Sequence, residues 1–186
     1  MITSKKMLRE YLAADAVANK KPPIARYPLV CRLAGWYNML YINYMRRCEY
    51  IDGTRGPGFL GSLVERYYWH KLKRVSLLTG FQISPNTCGK GLYLPHWGSI
   101  LVNGNARLGE RCVIQSGVLV AEGVRGGDHI YFSVGSKVLR DVTLADDIIV
   151  AANAVVNKSF TEPDIVVGGI PAKKISDKGF RSRTVV

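Results

Sequence analysis

Residues 102–160 read VNGNARLGERCVIQSGVLVAEGVRGGDHIYFSVGSKVLRDVTLADDIIVAANAVVNKSF. Every sixth residue of this stretch is Val102, Leu108, Ile114, Val120, Gly126, Phe132, Val138, Leu144, Val150 and Val156. All but Gly126 are large and apolar. Four places after each come Ala106, Cys112, Val118, Val124, Ile130, Ser136, Val142, Ile148, Ala154 and Phe160, most of them small or β-branched. The residue following the large one is often small as well, as at Gly109, Ala121, Ser133, Ala145 and Ala151. A helix repeats near 3.6 and a half-buried strand at two, so neither accounts for a period of six. A six-residue period is the mark of a solenoid in which each hexad is a short strand and a tight corner. Three hexads close one triangular coil, so residues 18 apart stack. Val102, Val120, Val138 and Val156 are expected to form one interior ladder, Leu108 and Leu144 to flank Gly126 on a second, and Ile114, Phe132 and Val150 to line the third. A buried β-sandwich would not hold one phase over ten hexads without hairpin signals between its strands.

The phase breaks at two places. Cys88, Leu94 and Ile100 are six apart, yet Val102 follows Ile100 by two. Two residues are thus added near PHWGS (95–99), which enlarges that corner and pushes His96 and Trp97 off the prism. The second break is Gly126, within EGVRGGDH (122–129), where a glycine-rich run suggests an outward loop. Binding chemistry in a solenoid gathers where loops leave the regular coils.

The first 80 residues follow a different pattern, read here as a helical region (1–80) ahead of the β-helix (81–176) and a tail (177–186). Ser4 is placed to cap a helix through Met7–Ala18, and Pro22-Pro23 breaks it. A second helix is expected from about Tyr27 to Tyr50, then a turn at DGTRGPG (52–58). A third helix starts near Phe59, with Leu60, Leu63, Val64, Tyr67, Leu72, Val75 and Leu78 as its apolar stripe, and ends at Gly80. This region carries 14 lysines and arginines against five aspartates and glutamates, and dominates the net charge of +12. Such charge suits phosphate-rich ligands, acidic glycans or an anionic membrane face. No nucleic-acid motif accompanies it, so DNA and RNA binding are discounted. Arg46, Arg47, Arg66, Lys73 and Arg74, interleaved with Trp36, Tyr41, Tyr44 and Trp69, are suited to a membrane surface; packing of the helices is the competing role for the aromatics. The uncharged run of 13 residues from Leu33 to Met45 is too short to span a bilayer.

Cys31, Cys48, Cys88 and Cys112 are spaced 17, 40 and 24 residues apart. No C-x-x-C pair exists, so no zinc cluster is expected, and reduced thiols fit a cytoplasmic home. The charged N-terminus MITSKKMLREYL lacks the apolar region of a secretory signal.

At GLYLPHWGSILVNGNARLG (91–109), VAANAVVNKS (150–159) and VGGIPAKKIS (167–176), the chain resembles the serine acetyltransferase branch of the hexapeptide-repeat acyltransferases. It is most similar to shorter members of bacterial capsule and surface-polysaccharide synthesis. The resemblance implies a left-handed parallel β-helix, a homotrimer with active sites between subunits, and acetyl-CoA as acyl donor with no metal. It also implies that His96 is the general base toward an acceptor hydroxyl. An imidazole titrating near neutrality suits that task. By the same alignment Val134 and Ala152, and more weakly Ala121, meet the pantetheine through their main chain. Lys158 and Lys173 then face the CoA phosphates, although plain surface lysine is the alternative. On the acceptor side stand Gln82, Trp97, Asn103, Asp128 and His129, the last a surface histidine by default.

Departures from the serine-specific pattern bear on the acceptor. The aspartate that precedes the histidine in serine acetyltransferases is here Pro95, and a second supporting aspartate is matched by Gln82. The Arg-His pair of a longer loop is absent. Free serine requires partners for both its charges, whereas Trp97 offers a flat face for a sugar ring. The expectation is therefore a carbohydrate acceptor, with enzyme placed in the cytoplasm, at the inner membrane face if the basic half associates there. Serine acetylation is the alternative, and a scaffold without catalysis a third reading.

Overall fold

The computed structural model describes residues 1–54 and 59–182. The expected turn at 52–58 and the last residues of the expected tail therefore fall in part outside the described residues.

The hexads fold as read. Face A of a three-sided prism carries β1 (Phe81–Ile83), β2 (Ile100–Val102), β5 (Leu119–Val120), β8 (Lys137–Val138) and β11 (Val155–Val156), all parallel. Face B carries β3 (Arg107–Leu108), β6 (Arg125–Gly126) and β9 (Thr143–Leu144). Face C carries β4 (Val113–Ile114), β7 (Tyr131–Phe132), β10 (Ile149–Val150) and β12 (Val166–Gly169), then β13 (Ala172–Ser176) antiparallel to β12. The three interior ladders are those expected, with Val120 paired to Val102 and Val138, Gly126 to Leu108 and Leu144, and Phe132 to Ile114 and Val150. Each large residue and nearly every small one four places on is buried. A coil alone leaves half of this apolar surface wet, so stacking is what stabilises each strand.

The outward loop expected at 122–129 is absent. Arg125–Gly126 stays in register as β6, and the side chain missing at Gly126 is replaced by its neighbours. A Cβ there would lie 2.7 Å from Leu108 Cδ2 and 2.9 Å from Ile130 Cδ1. The phase break in residue size is thus a repacking of the core.

Ahead of the prism lie α1 (Lys5–Ala18), a 3₁₀ turn at Pro23–Arg26, α2 (Pro28–Leu33), α3 (Tyr37–Thr54) and α4 (Phe59–Thr79). Ser4 Oγ accepts the Met7 N–H at 3.1 Å, as its capping role requires. The single helix expected from Tyr27 to Tyr50 is two. Gly35 takes φ +68, and the Trp36 N–H reaches back to Cys31 O at 2.8 Å, a left-handed stop that only glycine adopts cheaply. The stripe expected on α4 is also displaced. Leu72 and Val75 are buried, while Leu63, Val64, Tyr67 and Leu78 are exposed; the packed face continues through Tyr68 and Trp69 instead. The side chain of Leu60 lies outside the described residues.

Helices and prism share one core, running from Ala16, Met39 and Met45 to Val156 and Val167. Tyr41 Oη both donates to Ile83 O and accepts from Ile83 N, each at 2.9 Å, which covers the edge of β1. Arg46, expected at a surface, is fully buried. Its guanidinium pairs with Asp15 at 2.8 Å and Glu49 at 3.0 Å and donates to Cys88 O and Gly89 O. Tyr41 is buried and Tyr44 and Trp69 pack on the core, so the packing role holds for these aromatics. Among the described residues no helix is long and apolar enough to cross a membrane. After β13 the chain turns back onto face C: Phe180 N–H donates to Asp147 O at 2.8 Å, and Arg181 and Ser182 bond Asp164.

Candidate active site

The enlarged corner at 95–99 is the feature that sets one edge of the prism apart. Leu94 stays in its ladder through the bridge Tyr93↔Val113, and β2 resumes at Ile100, so the added residues are spent on the corner between faces C and A. Below it stack the regular corners of the next coils. Gly117 N–H donates to Ser99 O at 2.7 Å, Gly135 N–H to Ser116 O at 2.9 Å, and Asn153 N–H to Val134 O at 2.9 Å. His96, Trp97, Val134 and Ala152 are all exposed along this edge. Among the described residues the N–H groups of Val134 and Ala152 make no hydrogen bond, so two donors on the corners below His96 are without a partner in the chain.

The helical region walls the other side of His96. A cleft of about 660 Å³ is lined by Lys20, Lys21, Trp36, Tyr37 and Asn38 on one side and by Tyr93 through Trp97 on the other. Tyr37 and Trp97 meet edge to face, with centroids 6.0 Å apart. Lys21 Nζ lies 5.2 Å from the Trp36 ring centre. No carboxylate lines the cleft, and among the described residues His96 makes no hydrogen bond.

The segment that delivers His96 is clamped by side chains from the helices. Asp15 Oδ1 accepts Leu92 N–H at 2.9 Å, and the Asn19 amide donates to Leu92 O at 2.8 Å. Asn19 Oδ1 accepts Leu94 N–H at 3.3 Å, and Asn38 Nδ2 donates to Leu94 O at 2.5 Å. Arg46 holds Asp15 from behind. Burial opposes its charge, but the Asp15 and Glu49 carboxylates outweigh that and raise its pKa above the ordinary guanidinium value. Sequence reasoning missed this clamp. Its members are spread over α1, α3 and the turn between, and a buried asparagine carries no periodic signature.

The structure gathers only part of the expected set at His96. Ala121 sits on the corner between faces A and B, one coil below Asn103. Gln82 and Asn103 share a separate cleft of about 340 Å³ on face A, and Asn103 Oδ1 already accepts Asn105 N–H at 2.9 Å. Asp128 and His129 stand on the third corner, between faces B and C. Asp128 Oδ1 accepts Glu110 N–H at 2.7 Å, so it is engaged in the stack of coils. His129 takes φ +56, bonds Asp147 at 3.2 Å through Nδ1, and meets the Phe180 ring edge-on. It is half-buried and in contact with the neighbouring coil and the returning chain. Lys158 lies over Phe160 at 5.6 Å, and Lys173 is exposed on β13.

All four cysteines are free and buried. Burial pushes the thiols of Cys31 and Cys88 up to about 11 and that of Cys48 to about 12, and raises Cys112 as well. None is a thiolate nucleophile at neutral pH.

No family model matches the chain. Its sequence is 29% identical over 114 residues to the serine acetyltransferase of Synechococcus elongatus, covering 56% of this chain and 46% of that protein. It is 32% identical over 108 residues to the serine acetyltransferase of Mycobacterium tuberculosis, covering 53% and 47%. The chain spans about half the length of the curated relatives it matches. Among solved structures, Neisseria gonorrhoeae serine acetyltransferase in complex with serine superposes with a TM-score of 0.69 at 24% identity, over 93% of this chain and 71% of that one. Brucella abortus serine acetyltransferase in complex with coenzyme A gives 0.70 at 21%, over 95% and 70%. The fold is that of a left-handed parallel β-helix preceded by helices.

Proposed function

We propose that the chain is an acetyl-CoA-dependent O-acetyltransferase in which His96 is the general base. The observation that carries this is one prism edge: an exposed histidine on an enlarged corner, above the exposed residues Val134 and Ala152, whose N–H groups have no hydrogen bond among the described residues. Its likeness to serine acetyltransferases supports the same reading. In the proposed reaction His96 removes the acceptor hydroxyl proton as the oxygen attacks the thioester carbonyl. The tetrahedral intermediate then collapses, the carbon–sulfur bond breaks, and the departing thiolate takes up the proton from His96. The open N–H groups suit the amide carbonyls of the pantetheine arm.

Serine is the acceptor to which the relatives point, since both the sequence matches and the superposed structures are serine acetyltransferases. The carbohydrate expected from the sequence finds no support in these comparisons. One observation keeps it as a second reading: the cleft at His96 is lined by Trp36, Tyr37 and Trp97 and by no carboxylate that would meet an ammonium group. Gln82 and Asn103 line a different cleft of the same chain from His96, and a second copy, as in the homotrimer the resemblance implies, would be one way for them to act at a shared site. Light scattering that gives an active monomer removes that part of the proposal.

The test is release of free CoA thiol from acetyl-CoA with L-serine, pyranosides and nucleotide sugars as acceptors. His96→Ala lowers kcat by roughly 10²-fold or more, with CoA affinity nearly unchanged. Turnover at the wild-type rate in that variant removes the base assignment. Efficient turnover of serine alone decides for the first reading, and of sugars alone for the second. If no hydroxyl acceptor releases CoA, the non-catalytic scaffold is the correct description.

A further inference from the structure

A second cleft, of about 640 Å³, lies wholly within the helical region, between α1, the Pro23–Arg26 turn, α3 and α4. It shares no lining residue with the cleft at His96. Four of its lining residues are cations: Lys5, Arg9, Arg26 and Arg47. Among the described residues no carboxylate lines it, and none of the four cations forms an ion pair. Protein surfaces ordinarily intersperse the two signs of charge, because like charges held together repel.

Arg26, exposed, and Arg47, half-buried, are already oriented. Arg47 Nη2 donates to Arg26 O at 3.2 Å, and its guanidinium lies 5.9 Å from the Tyr68 ring centre. Arg26 lies 5.0 Å from the ring centre of Tyr27. Arg47 Nε is buried and, among the described residues, has no hydrogen-bond partner. A buried donor without an acceptor is costly, and a shift of the side chain toward an oxyanion in the cleft would relieve it. The guanidinium fork matches phosphate oxygens in pairs. Beside the cations the wall is apolar, formed by Leu8, Leu12, Ile51 and Val64, and the volume is that of a small-molecule site.

We infer that this cleft binds a phosphate ester carrying an apolar chain, with the phosphate on Arg26 and Arg47, Lys5 and Arg9 beside it, and the chain along Tyr50, Ile51 and Val64. The inference is independent of acetyl transfer, and its test reads binding alone.

Calorimetry on the full chain compares decyl phosphate below its micellar concentration, inorganic phosphate, and decyl maltoside as a neutral amphiphile. Decyl phosphate is expected to bind at least tenfold more tightly than either of the others. Arg26→Gln/Arg47→Gln should weaken it at least tenfold. Lys5→Gln/Arg9→Gln, at exposed positions that leave the fold intact, should weaken it several-fold. Equal affinity for the three probes overturns the inference, as does undiminished binding in the Lys5/Arg9 variant and in a folded Arg26/Arg47 variant. Flotation with phosphatidylcholine vesicles, with and without phosphatidic acid, assigns the source. Capture that depends on phosphatidic acid and is lost in the variants supports a lipid headgroup. Decyl phosphate binding without capture supports a soluble phosphate ester.

Discussion

Arg46 shows how far one residue's role departs from its type. A guanidinium with no exposed surface persists because two carboxylates and two carbonyl oxygens satisfy it. Arg46→Ala leaves Asp15 and Glu49 buried and unpaired, and loosens the clamp on Leu92 that precedes His96. It should destabilise the protein by ~3–5 kcal/mol, measured by urea unfolding; a loss under 1 kcal/mol contradicts the network. The thiols make a second case. Their pKa values lie above the ordinary value of 9.0 when folded, so the native state holds protons that the unfolded chain releases. Their contribution is therefore fully present below pH 9 and is lost as pH rises toward about 11 for Cys31 and Cys88 and about 12 for Cys48. A thiol reagent at pH 8 should label none of the four in the native protein and all four in urea. Rapid native labelling would show that the burial is wrong.

At the scale of elements, the two breaks in the hexad pattern have opposite outcomes. The break at 95–99 adds residues and so must change the path of the chain. The break at Gly126 changes only size, and Leu108 and Ile130 fill the space. A substitution separates a packed coil from an open loop. Gly126→Val would be nearly neutral in a loop; in β6 it overpacks the core and should cost ~1–3 kcal/mol in thermal or urea unfolding. The helices were less legible. Their number depended on Gly35, whose left-handed turn splits one amphipathic run into α2 and α3. On α4 the packed face, Tyr68, Trp69, Leu72 and Val75, was set mainly by where α3 meets it, as at Tyr44 and Tyr68, and no property of the helix alone chooses among its apolar stripes.

For the whole molecule, helices and prism are joined by a continuous apolar core and by the Asp15–Arg46–Glu49 group. They should unfold together, with the helix signal at 222 nm and tryptophan fluorescence tracing one coincident transition. Two separated transitions would show the helical region to be an independent unit. The solenoid, its three ladders and the enlarged corner at His96 could all be read from the sequence. They follow from a local rule, since each hexad repeats the same division between an inward residue and a corner, and an insertion announces itself as a shift of phase. The fate of Gln82, Asn103, Asp128 and His129 could not be read in that way, because the corner a residue occupies relative to His96 is a matter of position around the prism. The same holds for Asn19, Asn38 and Arg46, which act on the segment leading to His96 from 46 to 75 residues away along the chain when measured to Leu92 and Leu94. Contacts of that range are decided only when the helices pack on the first coil, because buried polar groups take whatever backbone partners the tertiary fold leaves open.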